Sequence, residues 1–177
     1  LGGDRKSAEH MYTSLLDAMK RADTGINAGY AVVYEAVRTA AQIYPNATLL
    51  DAAAKSISRF LASNNQNLRY LGITALGMVV GVNPRYAAEH RMMVVECLED
   101  PDDTLKRKTL DLLYKMTNPK NVVFIVGKPI KSLRSTTDAY LREELVQRIT
   151  ELAERYSPNN EWFIKTLNTV FLISGDL

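Results

Sequence analysis

The sequence predicts an all-α protein, an α-solenoid of about nine helices arranged as consecutive hairpins. Three observations carry the prediction. Apolar residues recur with the 3.6-residue helical period in every segment between turn signals, and no segment sustains the two-residue alternation of a strand. Prolines 45, 84, 101, 119 and 158 each stand beside turn-type residues and cut the chain into helix-length pieces, since proline suits a helix's first turn and disrupts its middle. Finally, three stretches superimpose at offsets of 37 and 36 residues.

Each helix follows from its own stripe. Over 5–21, Met11, Leu15, Leu16 and Met19 share a face. Over 27–44 the stripe is Tyr30, Val33, Tyr34, Val37, Ala41 and Tyr44. Over 47–62 it is Leu50, Ala53, Ile57, Phe60 and Leu61. Asn46, in Asn46-Ala47-Thr48, matches a glycosylation acceptor but reads as the cap of this third helix. Helix 66–82 is apolar nearly all round, as an enclosed helix is. Its Gly72, Gly77 and Gly81 read as close packing positions, not as a phosphate loop. Helix 84–98 carries Tyr86, Ala87, His90, Val94, Cys97 and Leu98, and helix 101–117 carries Leu105, Thr109, Leu112, Leu113 and Met116. Helix 119–134 contains Gly127-Lys128-Pro129, which predicts a kink or break at 126–129. Helix 138–156 carries Leu141, Leu145, Ile149 and Leu152, and helix 159–174 carries Phe163, Leu167, Val170 and Phe171.

The superimposing stretches are Ser63-Asn64-Asn65-Gln66-Asn67-Leu68-Arg69, Asp100-Pro101-Asp102-Asp103-Thr104-Leu105-Lys106 and Thr136-Thr137-Asp138-Ala139-Tyr140-Leu141-Arg142. Each opens on a side chain able to cap a helix (Ser63, Asp100, Thr136) and then places leucine followed by a cation. A two-helix repeat of this length makes the architecture HEAT- or armadillo-like. A weaker fourth copy surrounds Asp23-Thr24-Gly25. Arg69, Lys106 and Arg142 are then expected to act as inter-repeat pins, stems packed and heads on neighbouring carboxylates or helix-end carbonyls. Residues 1–177 read as one contiguous unit without linkers. The opening Leu1-Gly2-Gly3 and the amphipathic finish read as a piece of a longer protein.

Composition excludes several functions. With 46% apolar and 24% charged residues the chain is globular in character, and 22 basic against 20 acidic residues leave a net charge of +2. That balance gives nucleic-acid or membrane binding no support from bulk charge. No apolar run approaches the ~20 residues of a membrane span, and no signal-peptide pattern opens the sequence. One cysteine, Cys97, suits a reducing compartment. It lies seven residues from His90 on an apolar face, about 10 Å along a helix, and both read as buried structural residues. No nucleophile elbow, Walker loop, dinucleotide-binding glycine pattern or zinc-binding histidine pair is present, so no enzymatic activity, cofactor or metal is expected. Glu96, Glu99, Asp100, Asp102 and Asp103 form an acidic cluster that lacks the glycine and distal glutamate of a calcium loop. It reads instead as acidic residues gathered at a helix N-terminus. Arg107, Asp111 and Lys115 read as a solvent-side ladder along one helix.

One string is specific. Glu99-Asp100-Pro101-Asp102-Asp103-Thr104-Leu105-Lys106-Arg107-Lys108-Thr109 resembles the trunk of large-chain adaptins, as do Asn67-Leu68-Arg69-Tyr70-Leu71-Gly72, Asn27-Ala28-Gly29-Tyr30 and Tyr156-Ser157-Pro158-Asn159-Asn160-Glu161-Trp162. The likeness covers most of 7–177 and departs at Gly127-Lys128-Pro129. The resemblance implies a structural subunit of a heterotetrameric vesicle-coat adaptor that sorts cargo at the trans-Golgi network or endosomes. It implies a cytoplasmic chain, peripheral on membranes, whose partners are a small sigma chain, a second large chain and a medium chain. An Arf-type GTPase and the membrane would be met by other parts of the full-length chain. Other HEAT-repeat scaffolds, such as a nuclear-transport receptor or a phosphatase scaffold, bind through the same kind of face. A HEAT-like DNA glycosylase would need a basic, aromatic-lined groove. Tyr70, Tyr114 and Tyr140 lie off their helices' main stripes and are the candidate partner surface. Trp162, Phe163, Leu167, Val170, Phe171 and Leu172 are expected to leave partly exposed apolar surface and to promote self-association.

Overall fold

The computed structural model describes residues 4–22, 24–25 and 27–175. Its helices are α1 (Arg5–Ala22), α2 (Asn27–Gln42), α3 (Ala47–Leu61), α4 (Gln66–Val82), α5 (Arg85–Glu96), α6 (Asp103–Met116), α7 (Val122–Ser135), α8 (Ala139–Tyr156) and α9 (Asn160–Ser174), with a 3₁₀ turn at Cys97–Glu99. Among the described residues there is no strand, so the all-α prediction holds. Of the weak fourth repeat, Asp23 lies outside the described residues; Gly25 takes a φ of +74° in the α1–α2 turn, a conformation costly for other residues.

The helices group into two compact units, Leu1–Cys97 and Leu98–Leu177. In the first, α1, α3 and α5 lie side by side in one layer, and α2 and α4 form a second layer against them. Leu49, Ala53, Ile57, Ile73, Leu76 and Val79 fill the space between. Helix α4 behaves as its sequence demands: from Leu68 to Val82 only Gly81 is exposed. Gly72 lets α4 approach α3, because a Cβ there would come within 2.9 Å of the Leu61 Cδ2 and 3.1 Å of the Leu61 backbone nitrogen. Gly81 faces open space, with nothing within 4 Å, so the packing role expected of it is not realised. His90 and Cys97 are buried. The His90 Nδ1 donates to the Tyr86 carbonyl at 2.9 Å, and Nε2 lies 2.9 Å from the Ser58 hydroxyl.

In the second unit α6 lies beside α8 and α7 beside α9, with α8 packed on both α7 and α9. Leu113, Ile125, Leu133, Leu145 and Ile149 are buried at its centre. Helix α7 runs unbroken through Pro129, so of the kink or break expected at 126–129 the break does not occur. Proline removes one ladder bond, to the Ile125 carbonyl. The flanking turns are held by Ile125, Val126 and Leu133, all buried, and Pro129 is itself buried.

The three repeat caps fall two residues later than expected. Asn65 accepts from the Asn67 and Leu68 N–H groups, Asp102 from Leu105 and Asp138 from Leu141. The expected caps serve the turn before the helix instead. Ser63 Oγ accepts from the Asn65 N–H at 3.1 Å and Asp100 Oδ1 from the Asp102 N–H at 2.9 Å. Thr136 terminates α7. Pro101 therefore precedes α6, and Pro119 stands in a turn closed by Asn121, whose side chain bonds the Asn118 N–H and the Met116 carbonyl. Asn46 caps α3 through the Leu49 N–H, as read from the sequence.

Candidate partner surface

Helices α6 and α8 of the second unit flank a groove of about 420 Å³ lined by Tyr114, Tyr140, Glu143, Glu144, Gln147, Arg148 and Glu151. Stripe residues of both helices turn inward (Leu105, Leu112 and Leu113; Leu141, Leu145 and Ile149). The polar residues between them are thereby set facing one another.

The groove is laced by charge-assisted bonds. Arg107 donates to Asp138 at 2.9 Å, and Arg148 donates to both Asp111 at 2.5 Å and Glu144 at 2.8 Å. The Tyr114 hydroxyl donates to Glu151 at 2.7 Å, whose other oxygen accepts from Gln147 at 3.1 Å. Two guanidinium groups rest on tyrosine faces, Arg107 at 4.7 Å from the Tyr140 centroid and Arg148 at 5.4 Å from that of Tyr114. The hydrogen bonds to the Tyr114 hydroxyl and Gln147 hold the Glu151 carboxyl below the usual carboxylate range. The Leu141 N–H, helped by Arg107, does the same for Asp138. Its bond to Glu151 and partial desolvation push the Tyr114 phenol up.

Arg107 and Asp111 thus pair across to α8 and not along α6, which corrects the ladder read from their spacing. An arginine N-terminal to its acidic partner is the less favourable order on a helix, and α8 offers better-placed partners. Lys115 is left exposed.

The structure brings Tyr114 and Tyr140 to this one groove, while Tyr70 lies half-buried on α4 in the other unit. The three expected pins differ. Arg142 donates to the Leu133 carbonyl at 3.3 Å, to Thr136 at 3.4 Å and to Ile173 at 2.9 Å, joining the C-terminal ends of α7 and α9. Lys106 pairs with Asp103 of its own helix at 3.3 Å and not with a neighbouring repeat. Arg69 is half-buried in the first turn of α4. The acidic cluster is distributed among separate tasks: Asp102 caps α6, Asp100 braces the turn and Glu99 pairs with Lys131 at 2.9 Å.

A second groove, of about 550 Å³, lies between α1 and α3 and is lined by Leu16, Met19, Lys20, Lys55 and Arg59 among others. Sequence reasoning missed it, although Thr48, Asp51, Ala52, Lys55, Ser56 and Arg59 mark one unbroken small-and-polar face of α3. The Asp51 carboxylate at its edge receives both Arg85 at 2.5 Å and the Tyr86 hydroxyl at 2.6 Å. On α9, Ile164, Phe171 and Leu172 are exposed, whereas Val170 is buried. No helix among the described residues is long and apolar enough to cross a membrane.

Comparison with known proteins agrees with the string at 99–109. The family model for the adaptin N terminal region matches residues 3–177. The chain is 45% identical over 175 residues to the AP-4 complex subunit epsilon of Arabidopsis thaliana, covering 99% of this chain and 19% of that protein. It is 43% identical over 174 residues to the AP-4 complex subunit epsilon-1 of Homo sapiens, covering 98% and 15%. With the AP-1 complex subunit gamma of Dictyostelium discoideum the identity is 31% over 173 residues, covering 98% and 19%. The chain therefore spans under a fifth of the length of these relatives.

Proposed function

Because the chain belongs to the adaptin N-terminal-region family, we propose that it forms one continuous length of trunk in the large subunit of a heterotetrameric vesicle-coat adaptor. The similarity to epsilon subunits along nearly the whole chain carries this reading. In it the chain is scaffold and not catalyst: Asp102 and Asp138 cap helices, and Arg107, Asp111, Glu144 and Arg148 are held in ion pairs. The partners are a small sigma chain, a second large chain and a medium chain. The site of action is the cytoplasmic face of trans-Golgi or endosomal membranes. An Arf-type GTPase and lipid are contacted by other parts of the full-length subunit. Nothing in the sequence or in the relatives' names favours a nuclear-transport scaffold.

Within this role Tyr70, Tyr114 and Tyr140 are proposed to face adaptor partners. Affinity capture of the full-length subunit, with identification of what accompanies it, tests the function. Recovery of the small, medium and second large chains is expected. A Ran-type GTPase recovered without any adaptor subunit would overturn it. For the tyrosines, Tyr70→Asp and Tyr140→Asp are expected to reduce recovery of the small chain with helix content unchanged by circular dichroism. Full recovery with both variants folded would place the contact elsewhere.

A further inference from the structure

We infer that the α6–α8 groove is a docking site for an extended, arginine-bearing segment of a partner protein. The inference names the partner chemistry of the face carrying Tyr114 and Tyr140, and so rests on the proposal that this face meets a partner.

The groove already displays the recognition chemistry internally. Arg107 lies on one face of Tyr140 while bonding Asp138, and Arg148 lies on Tyr114 while bonding Asp111 and Glu144. In each case a planar cation is held between an aromatic face and a carboxylate, the arrangement that suits guanidinium better than ammonium. One such half-site is left open. Tyr140 is 64% exposed although Arg107 covers one of its faces. Glu143, three residues on and thus on the same side of α8, is exposed and has no hydrogen bond or ion pair among the described residues. An incoming guanidinium would stack on the uncovered ring face and pair with Glu143.

Charge and size favour the same occupant. Three carboxylates and one guanidinium line the groove, so its potential attracts cations, focused by the aromatic walls. A volume of about 420 Å³ admits a few side chains, as an extended segment presents them in succession. The interior ladder fixes the spacing of the two helices before any partner arrives, which lowers the ordering cost of binding.

The test uses the purified 177-residue chain with no adaptor subunit present, so its outcome is separate from subunit capture. Fluorescently labelled eight-residue peptides of alternating arginine and serine, and of alternating lysine and serine, are titrated and followed by anisotropy. The arginine peptide is expected to bind several-fold more tightly than the lysine peptide. Its affinity is expected to fall about tenfold or more in the Tyr140→Ala, Glu143→Gln double variant. Glu154→Gln removes the same charge from an exposed position of α8 outside the groove and is expected to leave affinity within about twofold. Both altered groove side chains are exposed, and an unchanged melting curve verifies folding. No arginine-peptide binding, equal binding of the two peptides, or equal losses in the groove and control variants would each overturn the inference.

Discussion

Arg69, Lys106 and Arg142 each stand four residues beyond a helix cap, yet the last two act differently. Arg142 supplies three carbonyls at the ends of two helices, whereas Lys106 reaches only one turn back. Arg142→Ala is therefore expected to lower unfolding free energy by about 1–3 kcal/mol, because it strands partly buried acceptors. Lys106→Ala should cost less than about 0.5 kcal/mol. Urea denaturation of both variants checks the contrast, and equal effects would remove the distinction. The repeat made the position of these cations legible. Their partners were not, since they depend on which helix ends arrive nearby in space. Acid sensitivity also belongs to single residues. Asp138 and Glu151 have carboxyls held below their ordinary range in the folded chain. Their contribution is thus present above the unfolded values of about 4 and lost as pH falls through the folded ones. The urea midpoint at low salt should hold steady near neutrality and decline below about pH 4. Asp138→Asn should make that decline shallower.

At the scale of the helix, two glycines of α4 separate what propensity decides from what packing decides. Gly81 is exposed with open space around it. Gly81→Ala should stabilise the chain by about 0.5–1 kcal/mol through helix propensity alone. Gly72→Ala places a methyl against Leu61 and should destabilise by about 1–3 kcal/mol. Thermal unfolding of the pair tests both signs. Both glycines looked alike in the sequence, because an apolar helix does not reveal which of its sides a neighbour approaches. Helix limits were legible from stripes and prolines. The two-residue shift of the caps has a local cause: in Ser63-Asn64-Asn65 and Asp100-Pro101-Asp102 both outer side chains can accept a backbone N–H, and the inner one is closer to the helix. The unbroken α7 has a tertiary cause. Proline's local penalty is offset by buried flanking turns that a single-segment reading does not contain.

At the scale of the whole chain, the repeat and the adaptin-like string made fold class and family legible, while the α6–α8 groove was not. Its decisive pairs, Arg148 with Asp111 and Tyr114 with Glu151, join residues 37 positions apart. They emerge only once successive repeats are laid side by side. The apolar face of α9 was legible because bulky residues there outnumber what one helical stripe can bury. Phe171 is 68% exposed and Leu172 86% exposed, with Ile164 also outward, while Val170 and Thr166 take the buried side. Contiguous apolar surface of this kind drives association in water. A repeat architecture also buries such faces against neighbouring repeats. Two copies of the purified 177-residue chain should associate through these exposed side chains of α9. Sedimentation velocity should then show an average mass that rises with concentration, and Phe171→Glu with Leu172→Glu should return the chain to monomer. Because both side chains are largely outside the core, the double variant should keep the wild-type melting temperature within a few degrees. A wild-type chain that remains monomeric at high concentration would show that this face is tolerated by solvent. An association that survives the double variant would assign it to another surface.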